Sequence, residues 1–136
     1  MTAKKFLSQA RFYRAMIARL EAKIAEIRID LESVRGISYD KMRVPGGTSD
    51  SVVHYLDQMM KLEEQLRNAR ARYYASYNAI LDAIDSLESP LQRAIVAGRY
   101  LEGYSLKDIA EKLDYSFAYV QNQHGIALKN LVRNVE

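Results

Sequence analysis

Residues 99–131 of this 136-residue chain, RYLEGYSLKDIAEKLDYSFAYVQNQHGIALKNL, decide its fold. Ser105 and Ser116 each stand directly before a run of helical periodicity, where serine is a preferred N-cap. Asp108 follows three residues after Ser105 and completes a capping-box-like pair. Asp114 lies between the two runs, and aspartate tolerates the positive φ that a tight turn requires. The stretch therefore predicts a helix, a tight turn and a second helix.

The apolar positions of this stretch have the spacing of a helix-turn-helix motif. A close contact between the two helices admits only a small side chain, and Ala110 occupies that position. The apolar residues expected to pack around it are Ile109, Leu113, Tyr115 and Val120. An apolar residue is also expected at Gln123, where the sequence departs from the pattern.

A further helix is predicted just before the motif. Ser89 and Pro90 have the character of an N-cap followed by proline at the first helical position, and Gly103 ends the element. Residues 89–136 are therefore predicted to form a helix-turn-helix domain of three helices.

The first 88 residues are predicted to form a long helical hairpin, or coiled-coil arm, with a loop at residues 36–50. Residues 1–35 and 51–88 contain neither proline nor glycine. In the first segment the apolar residues alternate at steps of four and three, as in a heptad seam. The seam comprises Phe6, Ala10, Tyr13, Ile17, Leu20, Ile24, Ile27, Leu31 and Val34. An antiparallel pairing within the chain is the first interpretation, and a parallel pairing between two chains remains open.

The net charge of +3 is distributed unevenly along the chain. Residues 1–35 hold eight basic and four acidic side chains, whereas residues 89–136 hold six and five. The first twenty residues contain no acidic side chain, and their basic residues are Lys4, Lys5, Arg11, Arg14 and Arg19. Arg14, Arg28 and Arg35 share one flanking heptad position, and phosphate contacts or solvation with salt bridges to the acidic second helix are the two explanations for them.

Composition argues against several functional classes. The absence of cysteine excludes disulfides, thiol catalysis and thiolate zinc sites. His54 and His124 are seventy positions apart, and no catalytic set, phosphate-binding glycine loop, cofactor site or metal site is recognisable. The sequence shows no signal peptide and no apolar stretch near 18 residues. We therefore expect a cytoplasmic protein that is not an enzyme, has no cofactor and does not contact a membrane.

Residues 99–131 resemble the fourth region of the bacterial sigma-70 factors, whose pattern is RY-x-x-G-x-S-x-x-(D/E)-I-A followed by a helix ending A-L-x-x-L. The matching positions are Arg99, Tyr100, Gly103, Ser105, Asp108, Ile109, Ala110, Leu113, Val120, Ala127, Leu128 and Leu131. The additional match at Tyr115-Ser116 and at His124-Gly125-x-Ala127-Leu128, after a helical hairpin, is more similar to phage-encoded regulators of the ArpU/RinA type.

The resemblance implies sequence-specific binding of double-stranded DNA, with a recognition helix at residues 116–131 in the major groove, and activation of phage or prophage genes. The implied DNA-facing residues are Ser116, Phe117, Ala118, Gln121 and Asn122, with Lys107, Lys112 and Lys129 as local phosphate contacts. Sigma factors place several charged residues, mainly arginines, on this face, whereas this chain has uncharged residues there. The coiled-coil arm predicts a homodimer.

A second hypothesis belongs to another functional class. The chain is then a protein-interaction module that docks on RNA polymerase or another regulator, with the arm as the contact and little direct DNA binding. The nearly balanced charge of residues 89–136 motivates this hypothesis. The third hypothesis is that the chain is a purely structural helical protein.

Overall fold

The computed structural model describes residues 2–40 and 50–135, and these residues form an all-α fold without strands. The helices are α1 (Ala3–Asp40), α2 (Asp50–Asp85), α3 (Pro90–Val96), α4 (Leu106–Leu113) and α5 (Phe117–Val135). A short π-helical segment, Ala97–Leu101, continues directly from α3. The predicted all-α class is thereby confirmed. The predicted loop begins too early, because α1 continues through Gly36 to Asp40, and residues 41–49 of that prediction lie outside the described residues.

The chain divides into two compact units. The multi-helix unit comprises Met1–Arg14 and Arg72–Glu136, and the hairpin unit comprises Ala15–Ala71. The division differs from the predicted boundary between residues 88 and 89. The reason is that the ends of the two long helices share one core with the C-terminal helices. This core contains Ala3, Leu7, Ala10, Ile80, Ile84, Leu87, Val96, Tyr100, Leu101, Ala127 and Leu131.

Within the hairpin unit, α1 and α2 pair antiparallel. Glu21 of α1 forms an ion pair with Arg70 of α2 at 3.1 Å, while Arg28, further along α1, lies near Glu63, further back in α2. In the multi-helix unit the guanidinium of Arg14 donates to the hydroxyl of Tyr73 at 2.8 Å, and Leu7, further back in α1, shares a core with Ile80, further along α2, so the arrangement is again antiparallel. The antiparallel pairing within the chain is therefore confirmed.

All nine residues of the predicted α1 seam are buried or partly buried. Ile24, Ile27 and Leu31 are buried in the hairpin unit as predicted. In the multi-helix unit, however, Leu7 is fully buried whereas the predicted seam residue Phe6 is only partly buried against the core. Phe6 therefore keeps its predicted contact with the core, whereas Leu7 was not predicted, because this end of α1 packs against several elements and not against one partner helix.

The C-terminal helices begin as the sequence predicts. The Ser89 hydroxyl accepts the N–H of Gln92 at 3.2 Å, and Pro90 occupies the first helical position. Gly103 has a φ of +82°, which a glycine adopts without strain. These two features define the beginning and the end of the segment that precedes the helix-turn-helix motif.

Candidate nucleic-acid interface

The turn between α4 and α5 has a left-handed residue at its centre. Asp114 has φ 61° and ψ 44°, and its N–H points to the carbonyls of Ala110 and Glu111. The N–H of Tyr115 also donates to the Ala110 carbonyl, at 3.0 Å. These bonds satisfy carbonyl groups that the end of α4 leaves without helical partners. The prediction of positive φ at Asp114 is confirmed.

The two helices of the motif meet through a small core. Ile109, Ala110 and Val120 are buried together with Ile95 of α3. Ala110 is only 3% exposed, as expected where helix surfaces approach closely. The prediction that Tyr115 packs around Ala110 is wrong. Its side chain is 48% exposed and packs against Tyr119, with ring centroids 5.3 Å apart. Val120 fills the core beyond the turn.

The first turn of α5 is capped by a serine and lacks acidic residues. The Ser116 hydroxyl accepts the N–H of Tyr119 at 3.2 Å. Helix N-termini carry a partial positive charge and free N–H groups, and no acidic side chain offsets them in the first turn of α5. This helix end is therefore suited electrostatically to an anionic group such as a phosphate.

The five residues predicted to face DNA all lie on exposed positions of the cap and the first two turns. Ser116, Phe117, Ala118, Gln121 and Asn122 are solvent-exposed, and Phe117 remains 44% exposed despite its apolar ring. Within the part of the chain that the structure describes, neither the Gln121 amide nor the Asn122 amide has a hydrogen-bond partner. This face therefore contributes little to the packing of the domain.

The three predicted phosphate-contacting lysines are exposed as well. Lys107 lies in the first turn of α4, and Lys129 lies in the second half of α5. Lys112 lies in the last turn of α4, and its ammonium is 4.4 Å from the centroid of the Tyr104 ring. The cation–π contact holds Lys112 near the turn while it remains open to solvent.

A buried polar network explains the anomaly at Gln123. The side chain of Gln92 is buried, and its amide nitrogen donates to the Gln123 oxygen at 3.1 Å. Asn130 donates to the Gln92 oxygen at 3.4 Å. The network joins α3 to α5. It supplies hydrogen-bond partners for the side chains of Gln92 and Gln123, so a polar residue can stand where the motif expects an apolar one. Sequence reasoning identified Gln123 as unusual but missed its partner Gln92.

His124 takes part in packing within the domain. Its Nε2 lies 2.9 Å from the Tyr100 hydroxyl, and the two rings stack at 19°. Burial lowers the pKa of His124, and the positive charges of Arg99 and Lys4 lower it further. Burial also raises the pKa of Tyr100, an effect that Arg99 and Arg11 oppose. A neutral His124 bonded to a neutral Tyr100 is the form that this environment favours.

Two of the basic residues near the N-terminus are engaged inside the multi-helix unit. The guanidinium of Arg11 donates to the Arg99 carbonyl at 2.6 Å and lies 5.9 Å from the Tyr100 ring centroid. Arg14 lies over the Tyr73 ring in addition to bonding its hydroxyl. Lys4 and Lys5 are exposed. The positive charge of this segment therefore serves partly to join α1 to its neighbours.

Comparison with known proteins gives no match: no family model, no curated protein and no solved structure is similar to this chain. Residues 2–40 and 50–135 include no helix that is long and apolar enough to cross a membrane. The same residues hold no group of three or more histidine, aspartate or glutamate side chains arranged for a metal ion.

Proposed function

We propose that the chain is a sequence-specific DNA-binding regulator of transcription that inserts the N-terminal half of α5 into the major groove. One observation carries the proposal: a helix held by a closed left-handed turn presents a face that the domain does not use for packing. The resemblance of residues 99–131 to sigma region 4 agrees with it. The same resemblance supports an activator of phage or prophage genes that acts in the bacterial cytoplasm.

The side chains of this face have the chemistry of base recognition. Gln121 and Asn122 each carry an amide that can donate to and accept from adenine in the major groove. Phe117 and Ala118 can contact a thymine methyl group. The Ser116 hydroxyl and the first N–H groups of α5 can bind a backbone phosphate and set the register of the helix.

The small positive charge of residues 89–136 predicts DNA binding that depends only weakly on salt concentration. Each phosphate contact contributes about −0.9 to the slope of log affinity against log salt. Lys107, Lys112 and Lys129 together therefore predict a slope of about −3 for one chain on DNA. Much of the affinity must then come from base contacts rather than from charge.

Duplex binding at several salt concentrations tests the proposal. Fluorescence anisotropy of a labelled duplex pool with the full chain should show binding at low salt, and repeated selection should enrich one sequence. A matched Lys107→Gln/Lys129→Gln variant should reduce the slope by about 2, because two contacts are lost. Absence of any duplex binding at low salt would contradict the proposal.

A protein-interaction module is the second candidate function. Tyr115, Phe117 and Tyr119 expose aromatic rings around the start of α5, and aromatic residues are enriched in protein interfaces. On this alternative the chain docks on RNA polymerase or another regulator, with these rings as a contact in addition to the arm. Pull-down of purified polymerase by the full chain, with and without DNA, separates the two. Failure to recover polymerase in both conditions would count against the alternative.

A further inference from the structure

One flank of the hairpin unit exposes apolar side chains at heptad spacing. Val53 and Met60 of α2 are 53% and 69% exposed, and the next residue at this spacing is Arg67. Residues seven apart lie on the same side of a helix that follows a heptad seam. Val53, Met60 and Arg67 therefore form one stripe along α2, which we call the outer stripe.

At Arg67 the outer stripe reaches a groove between α1 and α2 within the hairpin unit. The groove has a volume of about 400 Å³, and Ile24 and Leu66 of the buried seam contribute to its lining. Arg67 lines it from α2 and Ala25 lines it from α1. Ala18, seven residues before Ala25, is exposed on the same side. The flank therefore combines an apolar floor with apolar and charged borders.

Three charged side chains of this groove have no ion-pair partner among the described residues. These are Arg28, Glu63 and Arg67, whereas Glu21 and Arg70 pair with each other at 3.1 Å. Each helix thus presents an acid followed by a base: Glu63 precedes Arg67 by one turn, and Glu21 precedes Arg28 by two. An antiparallel copy of either helix would place acid opposite base.

We infer that a second copy of this chain packs antiparallel across the groove and across Met60 and Arg67 of the outer stripe, forming a four-helix bundle. A two-fold interface is self-complementary, so one axis must satisfy both helices. In α2 the axis lies at Gln65, midway between Glu63 and Arg67. The Glu21–Arg70 ion pair sets the register of the two helices, and in this register Gln65 lies opposite Glu26 of α1. In α1 the midpoint between Glu21 and Arg28 lies between Ile24 and Ala25, about 2 Å along the helix from Glu26. One two-fold axis therefore fits both helices.

The part of the flank that the second copy covers is small. With the axis at Gln65, it covers residues 15–34 of α1 but only residues 59–71 of α2 within the hairpin unit, about 30 Å and 20 Å at ~1.5 Å per residue. At a width of about 10 Å for each helix, the covered area is about 500 Å² per copy, at the lower limit of specific interfaces. We therefore expect a dimer that dissociates in the micromolar range.

The dimer carries two copies of the α5 face and so extends the proposed DNA recognition to two half-sites. The interface itself does not depend on that function, because it is measured without DNA. Loss of the dimer and loss of DNA binding are thus separate results.

Sedimentation equilibrium of the full chain tests the interface. The mass should approach twice 15.6 kDa as the concentration rises through the micromolar range. Met60→Lys should weaken dimerisation about 10-fold or more, because the axis at Gln65 places residue 60 opposite Arg70 of the second copy, which repels a new positive charge. Met16→Lys is the matched control, since Met16 is exposed on the opposite flank of the α1 seam from Glu21 and Arg28, and it should leave the dimer unchanged.

Charge reversal gives a second, independent measurement. Arg67→Glu should weaken the dimer by placing it opposite Glu63 of the second copy, and the swap Glu63→Arg/Arg67→Glu should restore much of the lost affinity. Far-UV circular dichroism should show unchanged helix content in each variant. A monomer at all concentrations would overturn the inference, as would a dimer that neither Met60→Lys nor Arg67→Glu weakens.

Discussion

Three helices of the multi-helix unit close around Ile95, Ala110 and Val120, whereas the two helices of the hairpin unit bury a single seam that includes Ile24 and Leu66. A core enclosed by several helices is already covered. The exposed face of α5, the last helix of this unit, carries uncharged polar residues beside a few apolar ones. A two-helix seam leaves its flanks open, and one flank of the hairpin unit is partly apolar. The first arrangement is suited to presenting a recognition face and the second to association.

The largest expected effect compares a core deletion in each unit. Leu131 is fully buried in the multi-helix unit, and Leu131→Ala should leave a closed cavity that costs about 3–5 kcal/mol of unfolding free energy. Ile24 lines the open groove, so Ile24→Ala should cost only about 2 kcal/mol. Urea denaturation followed by circular dichroism at one fixed chain concentration measures both. Equal losses would remove the distinction between the two kinds of core.

Substitution at the left-handed turn should have the next largest effect. Asp114→Val places a β-branched residue at φ 61° and should lower the unfolding free energy by about 1–2 kcal/mol. Asp114→Gly removes the backbone strain and should be at least as stable as the parent chain. The same denaturation experiment compares them, and a valine variant as stable as the glycine variant would contradict the turn geometry.

Removal of a serine cap should lower stability by a smaller amount. Ser105→Ala and Ser116→Ala each remove one hydrogen bond to a helix N-terminus and should cost about 1 kcal/mol. Only Ser116 lies on the proposed DNA-binding face, so only its variant should also weaken duplex binding beyond the stability effect. Thermal unfolding and anisotropy on the two variants measure both properties. If Ser105→Ala weakened duplex binding as much as Ser116→Ala, the hydroxyl of Ser116 would have no specific role.

The smallest expected effect is a dependence of stability on pH. Because burial, Arg99 and Lys4 lower the pKa of His124 in the folded chain, a proton binds the unfolded chain more tightly. The stability that depends on neutral His124 is present above the ordinary pKa of 6.5 and is lost as pH falls through the lower folded pKa. The melting temperature should therefore fall between about pH 7.5 and about pH 5.5. His124→Gln, which keeps a hydrogen-bonding group, should show a smaller fall, and an equal fall would assign the effect to other groups.

The local signals in the sequence predicted the motif well because each depends on a few neighbouring residues. Ser89, Ser105 and Ser116 cap helices, and Asp114 has positive φ, for reasons that act within one turn of chain. The all-α class and the two long helices follow from periodicity over longer segments, whereas the same periodicity left the antiparallel and parallel pairings of α1 open. The exposure of the predicted interface follows from the same periodicity, which assigns Val120 to the core.

The features that the sequence did not predict depend on contacts between distant segments. Leu7 is buried more deeply than the predicted Phe6 because this end of α1 shares a core with Ile80 and Leu131, which no heptad pattern in α1 encodes. The bond between Gln92 and Gln123 joins residues of separate helices, so only half of the pair was visible as an anomaly. The unit boundary within the long helices has the same origin.

Duplex recognition by the exposed face of α5 is the central claim, and a double Gln121→Ala/Asn122→Ala variant tests it most directly. Both side chains are exposed, so the variant should fold with the parent's melting temperature. Anisotropy on the selected duplex should show a loss of about 1–3 kcal/mol for each amide, with the discrimination against a mutated duplex reduced as well. Full affinity and full discrimination by the double variant would contradict the assignment of α5 as the recognition helix.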